Sequence, residues 1–192
     1  MKNLTRVTGL LVALAVLAPA ALRARPGLQS TGETFTATAS VKGPSGSGSK
    51  PLTIHIDHLA SDADRTKLLA VVKTNDAAAI IQALAAMADI GYISVGDVRT
   101  PVKYAYAHPT GGGRLLTVVT AKPVAFVGAN APGAKPKAGH ELALALLVLD
   151  ENNKGDGEIS PAARVQVDAA GAIVTSDYSH EIVRLTGITK IK

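Results

Sequence analysis

The sequence predicts an α+β domain: an antiparallel sheet of about eight short strands, arranged as a meander, sandwich or barrel, with one helical hairpin inserted after the second strand. Three observations predict it. Apolar residues alternate with a period of two over 33–42, 52–58 and 102–108, the period of half-buried strands. Between 61 and 90 they recur at three and four instead, the helical spacing. After residue 91, clusters of Gly, Pro, Asn and Asp punctuate the chain at short intervals, as hairpin turns do between antiparallel strands.

The N-terminus reads differently. Lys2 and Arg6 precede an apolar run from Val7 to Leu17, which ends in Ala18-Pro19-Ala20-Ala21. A basic patch, an apolar stretch and small residues make the layout of a cleaved signal peptide over residues 1–24, cut after Ala20 or Ala24. The run is shorter than the roughly 20 residues of a membrane-spanning helix, so no span is expected after cleavage, and the periplasm or the cell exterior is the expected location. Residues 1–24 carry three basic residues and no acid, so their removal lowers the formal charge from +5 to +2. That charge, with no Trp, two Phe and four Tyr, does not suit nucleic acid, which favours clustered cations and stacking aromatics. The chain is cysteine-free, so neither disulfides nor thiol chemistry is available. The remaining length suffices for a core without such staples.

A single domain is expected over 33–192 after an irregular lead-in at 25–32. Its first strand places Phe35, Ala37, Ala39 and Val41 on one face and threonines and a serine on the other. Gly43 to Pro51 reads as a flexible Gly/Ser connector. Leu52, Ile54 and Ile56 share a face of the second strand. Ser61 and Asp64 form an approximate capping box, and Asp62 and Asp64 suit the positive end of the first helix. Leu68, Leu69, Val71 and Val72 form its apolar stripe. Thr74-Asn75 breaks it, Asn75 is a candidate cap for the second helix, and Ile80, Ile81, Leu84 and Met87 form the second stripe before Gly91. The hairpin therefore spans 61–90 and should cover one face or one open end of the sheet.

Short strands then resume. Tyr92 to Val95 is one. Over 102–108, Val102, Tyr104, Tyr106 and His108 alternate onto one face, ahead of a Gly-rich turn at 109–113. Arg114 to Phe126 is β-branched and interrupted by Pro123, and 128–139 is an Ala/Gly/Pro/Lys loop. Glu141 to Leu149 is apolar on both faces, as expected of a strand covered on both sides. Turns at 152–157 and 168–171 follow, and the final strand, 181–191, should break near Gly187.

Few motifs carry chemistry. Gly48-Ser49-Lys50-Pro51 lacks the Gly-Lys-Ser/Thr order and the following helix of a phosphate loop. Asp150 to Ser160 resembles half a calcium loop, but with Asp156 at the fifth position Lys154 falls at the third and Ala163 at the twelfth, where oxygen ligands are needed; a polar hairpin loop fits better. His55, Asp57 and His58 form the one His/carboxylate cluster. They are candidate metal ligands if His108, His140 or His180 completes the set, since zinc takes at least three protein ligands; a solvated strand face is the plainer reading. Tyr104, Tyr106 and His108 could floor a pocket, or simply supply core. No residue is assigned a catalytic role, no Gly-x-Ser-x-Gly elbow occurs, and no motif implies a cofactor. An outer-membrane barrel is disfavoured by the lack of aromatic girdles.

Glu33-Thr34-Phe35-Thr36-Ala37, Ser61-Asp62-Ala63-Asp64-Arg65, Gly91-Tyr92-Ile93 and Val183-Arg184-Leu185-Thr186 resemble a group of exported bacterial proteins with no assigned activity. The resemblance spans most of the mature chain and implies the compartment and the one-domain organisation alone. Three functions follow, in order of preference. The first is a non-enzymatic protein that binds a small apolar molecule or lipid inside or beside its sheet, in a cavity lined by residues such as Tyr104, Tyr106, Leu142 and Leu144, with the hairpin as a lid. The second is a module that docks an envelope protein through an exposed strand edge or loop, which predicts no cavity and an exposed apolar patch. The third is a hydrolase or metal enzyme in which His55, Asp57 and another histidine converge.

Overall fold

A computed structural model describes residues 32–43, 46–126, 139–167, 173–177 and 183–191. The expected signal peptide and residues 25–31 of the lead-in lie outside them. Nine strands and two helices follow in the order β1 (Glu33–Gly43), β2 (Gly46–Ile56), α1 (Asp62–Val72), α2 (Ala77–Ala86), β3 (Gly91–Val95), β4 (Val98–Thr110), β5 (Gly113–Thr120), β6 (Leu142–Asp150), β7 (Lys154–Val167), β8 (Ile173–Asp177) and β9 (Val183–Lys190). All pairings are antiparallel. Strands β1 to β6 form a meander, β6 pairs with β7, β7 with β9, and β9 with β1. The meander thus closes into an eight-stranded barrel, and β8 pairs with the far half of β7.

The period-two residues fill its interior. Phe35, Leu52, Ile54, Ile56, Ile93, Leu116, Leu147, Ile159, Leu185 and Ile188 are all buried in one cluster. An eight-stranded barrel is just wide enough for side chains to occupy its lumen, and burying each Leu or Ile contributes about 2 kcal/mol. One end carries charge. Glu33 at the start of β1, Arg114 at the start of β5 and Lys190 at the end of β9 lie in register with inward-facing Phe35, Leu116 and Ile188. Arg114 grips both Glu33 carboxylate oxygens at 2.9 and 3.0 Å, Lys190 Nζ donates to Oε1 at 2.8 Å, and Arg114 also donates to Asn153 Oδ1 at 2.6 Å.

Several expectations change: β5 ends at Thr120 rather than Phe126, and β7 already begins at Lys154 within the expected 152–157 turn. The connector at 43–51 is largely strand: Lys50, Ser49, Gly48 and Ser47 pair with Ala39 to Lys42, because backbone hydrogen bonds carry the hairpin onward where side chains contribute little packing. In β4 the register shifts between Val102 and Tyr104. Val102 belongs to the barrel interior, whereas Tyr104 packs in a second, outer cluster, so these two residues do not share a face; a bulge at Lys103 reverses the alternation. The cap of α2 is Asp76, whose Oδ1 accepts from Ala78 and Ala79 N–H at 2.9 and 3.2 Å, while Asn75 takes a left-handed turn (φ 59°). The last strand continues past Gly187, which at φ 63° forms a bulge whose N–H donates to Asp156 Oδ1 at 3.1 Å.

The helical hairpin lies against the outer wall of the barrel. Strand β3 has only five residues, so the middle of β4 has no strand beside it on that edge. The two feet of the hairpin take that place: Ala60 N–H donates to Ala105 O at 2.7 Å and Ile90 N–H to Val102 O at 2.9 Å.

Candidate ligand-binding cleft

Helix α1 begins at Ser61, whose hydroxyl accepts from Asp64 N–H at 3.2 Å while the Asp64 carboxylate reaches back to Ser61 N–H. These bonds to Ser61 hold the Asp64 carboxyl below the usual carboxylate range. With the start fixed, Arg65, Leu68, Leu69 and Val72 fall at i, i+3, i+4 and i+7 and form one stripe. Ile80 and Leu84 do the same on α2. Both stripes face the outer wall of β4 to β7 across a cleft of about 320 Å³.

The wall is built in ladder rows. Tyr104, Val119 and Leu144 are register partners across β4, β5 and β6, and Tyr106, Thr117 and Leu146 form the next row. Leu142 and Val165 complete the lining. The third row, His108, Leu115 and Val148, lies outside the lining; His108 is exposed and Val148 is 61 % exposed. The cleft therefore unites Tyr104, Tyr106, Leu142 and Leu144, as expected, and leaves out His108.

Several contacts pin the hairpin over this wall. Tyr106 OH donates to Asp62 Oδ1 at 2.7 Å, and Lys103 Nζ reaches Met87 O at 2.9 Å and Asp89 Oδ1 at 2.6 Å. The hydrogen bond to Asp62 raises the Tyr106 phenol above its ordinary pKa. The Tyr104 and Tyr106 rings lie nearly parallel, 12° apart with centroids at 6.5 Å. Burial pushes the Tyr104 phenol up to about 12. Tyr104 is 6 % exposed, and its hydroxyl has no hydrogen-bond partner among the described residues. Among the described residues Arg65 is the one charged member of the lining, and its guanidinium lies 5.2 Å from the centre of the Tyr106 ring. Arg65 is the charged member of the site that sequence reasoning passed over, as it did Thr117, Val119, Leu146 and Val165. The available signal for Arg65 was its place one turn ahead of Leu68 and Leu69.

The other candidates sit elsewhere. His55 Nε2 lies 3.0 Å from Asp57 Oδ1 and His55 Nδ1 lies 2.8 Å from the Thr34 hydroxyl. An ionised carboxylate only accepts, so Nε2–H donates to Asp57, while Nδ1 shares a hydrogen bond with the Thr34 hydroxyl. With Tyr92 at 5.3 Å from the His55 ring, this group ties β1, β2 and β3 together on the outside of the barrel. His58 is exposed. Among the described residues no three His, Asp or Glu side chains gather as metal ligands. Asp150 serves the β6–β7 turn, its Oδ1 accepting from Asn152 and Lys154 N–H, both at 2.8 Å. No family model, curated protein or solved structure matches this chain.

Proposed function

We propose that this is an exported, non-enzymatic binding protein that holds a small apolar molecule or a lipid chain between its helical hairpin and its barrel wall, in the periplasm or outside the cell. The observation that carries the reading is the cleft itself. Its volume, about 320 Å³, lies at the lower end of the roughly 300–1,000 Å³ typical of small-molecule sites. Its lining is hydrocarbon apart from Arg65, Thr117 and the two tyrosine hydroxyls. Covering such a surface is favourable by about 25 cal/mol per Å² of apolar area removed from water. The barrel lumen is occupied by side chains, so the ligand lies beside the sheet, not within it. Docking through an apolar patch has less support: among the described residues the exposed large hydrophobics are Val98 at the start of β4, Val148 in β6 and Ile191 just after β9.

Native mass spectrometry of the chain purified from the exported fraction tests the proposal, together with titration by an apolar fluorescent dye. Extra mass lost on denaturation, and dye binding abolished by Leu144→Trp, are the expected results. A bare polypeptide mass with no dye uptake would sink the reading.

A further inference from the structure

The lining is apolar along most of its length and polar at one place. Arg65 opens the stripe of α1 that Leu68, Leu69 and Val72 continue; seven residues of helix separate Arg65 from Val72, about 10 Å. The Arg65 guanidinium has no carboxylate within ion-pair distance among the described residues. The two acids nearest to it in sequence are committed, Asp62 to the Tyr106 hydroxyl and Asp64 to the Ser61 cap. The Tyr104 hydroxyl, without a hydrogen-bond partner among the described residues, belongs to the same cleft lining as Arg65, and the charges of Arg65, Asp64 and Asp62 all act on it. A cleft-lining hydroxyl with no partner in the protein is free to donate to a ligand atom. Towards the other end of α1, Val72, Ile80, Leu84 and Leu142 are buried and offer hydrocarbon only.

Resting on the cleft as a binding site, we propose that its ligand is a single-chain amphiphile with an acidic headgroup: a carboxylate or phosphate is held by the Arg65 guanidinium and the Tyr104 hydroxyl, and the chain runs along α1 towards Val72. Both protein groups donate and an acid headgroup accepts, so every polar atom at that place is satisfied. Arginine's planar fork suits either oxyanion. Arg65 is exposed, and a neutral headgroup would gain no charge-assisted contact from its guanidinium. A cleft of this volume takes one chain, not the two of a diacyl lipid.

The experiment is calorimetric titration of the purified chain with decanoate, decyl phosphate and decanol, which share a tail and differ in the head. The acids should bind about tenfold more tightly than the alcohol, the worth of one charge-assisted contact. Arg65→Gln should bring the ratio to about one, Arg65→Lys should keep part of it, and Leu144→Trp should abolish binding of all three. Whichever acid binds more tightly identifies the headgroup. Equal binding of acids and alcohol by the wild-type chain, or a preference that survives Arg65→Gln, overturns the headgroup assignment and leaves the cleft as an apolar site. No binding of any of the three, or binding unaffected by Leu144→Trp, overturns the cleft as a site and this proposal with it.

Discussion

Glu33 and Arg114, 81 positions apart in the chain, meet in a two-point ion pair at one end of the barrel. The Glu33 carboxylate is nearly buried, at 5 % exposure, and Lys190 completes its coordination. Removing one member of a buried pair strands the other, at a cost of about 3–5 kcal/mol. Lys190 remains to compensate in part, so Arg114→Met should lower unfolding free energy by about 3 kcal/mol in urea titrations. The double variant Glu33→Gln/Arg114→Met should lose less than Arg114→Met alone, because the charge then left without its partner, Lys190, is partly solvated while the Glu33 carboxylate is not. Equal losses would show that the pair contributes through packing only.

The same site gives a pH dependence. Burial by itself would raise the Glu33 pKa, but the hydrogen bonds and charges of Arg114 and Lys190 outweigh it and hold the carboxyl below the usual glutamate value of 4.5. The folded state therefore binds this proton less readily than the unfolded chain. Its contribution is fully present above about 4.5 and is lost as pH falls through the lower folded value. Urea midpoints should fall with acidification below that point in the wild-type chain, and less steeply in Glu33→Gln. Parallel slopes would assign the acid sensitivity to other carboxylates.

Adjacent residues of β6 should respond in opposite ways. Leu147 points into the lumen at 0 % exposure, whereas Val148 points outward at 61 %. Leu147→Ala should cost about 3 kcal/mol by leaving a cavity, and Val148→Ala should stay within about 0.5 kcal/mol. Because a one-residue slip exchanges the two faces of a strand, comparable costs would refute the register of β6 against β5 and β7.

The hairpin's hold on β4 can be measured through Tyr106 and Asp62. Tyr106→Phe removes the hydroxyl that bonds Asp62 and should cost about 1 kcal/mol. A double-mutant cycle with Asp62→Ala should show a coupling of that order, and amide exchange at Ala60 should quicken. Zero coupling would mean that the bond does not hold the hairpin in solution.

Gly91 turns the chain from the hairpin into β3 at φ 148°, and a Cβ there would collide with the His55 carbonyl oxygen. Gly91→Ala should therefore destabilise by more than about 2 kcal/mol. Gly111, in the β4–β5 turn, faces open space, and Gly111→Ala is the near-neutral control in the same thermal-unfolding assay.

Much of this molecule was legible in local periodicity. Alternation at 33–42 and 52–58 identified the inward residues of β1 and β2, and the change to helical spacing at 61 located the hairpin, because both periods are properties of a single segment. The same alternation put Tyr104, Tyr106 and His108 on one face, and apolarity on both faces of 141–149 marked Leu142 and Leu144 for cover. What local pattern could not supply was everything that depends on distant partners. A meander, a sandwich and a barrel share one alternation, and only the pairings of β6 with β7 and β9 with β1 close the sheet. The bulge at Lys103 moved the tyrosines to the outer wall, since one extra residue inverts every side chain beyond it. His108 lies outside the cleft lining and stays exposed, while Arg65, an exposed cation in the first turn of α1, comes to line the cleft because α1 lies over Tyr106. By itself the sequence determined which residues could be buried and in which kind of element; the tertiary structure alone decided against what they are buried, because closure, face and contact are set by pairings made far apart along the chain.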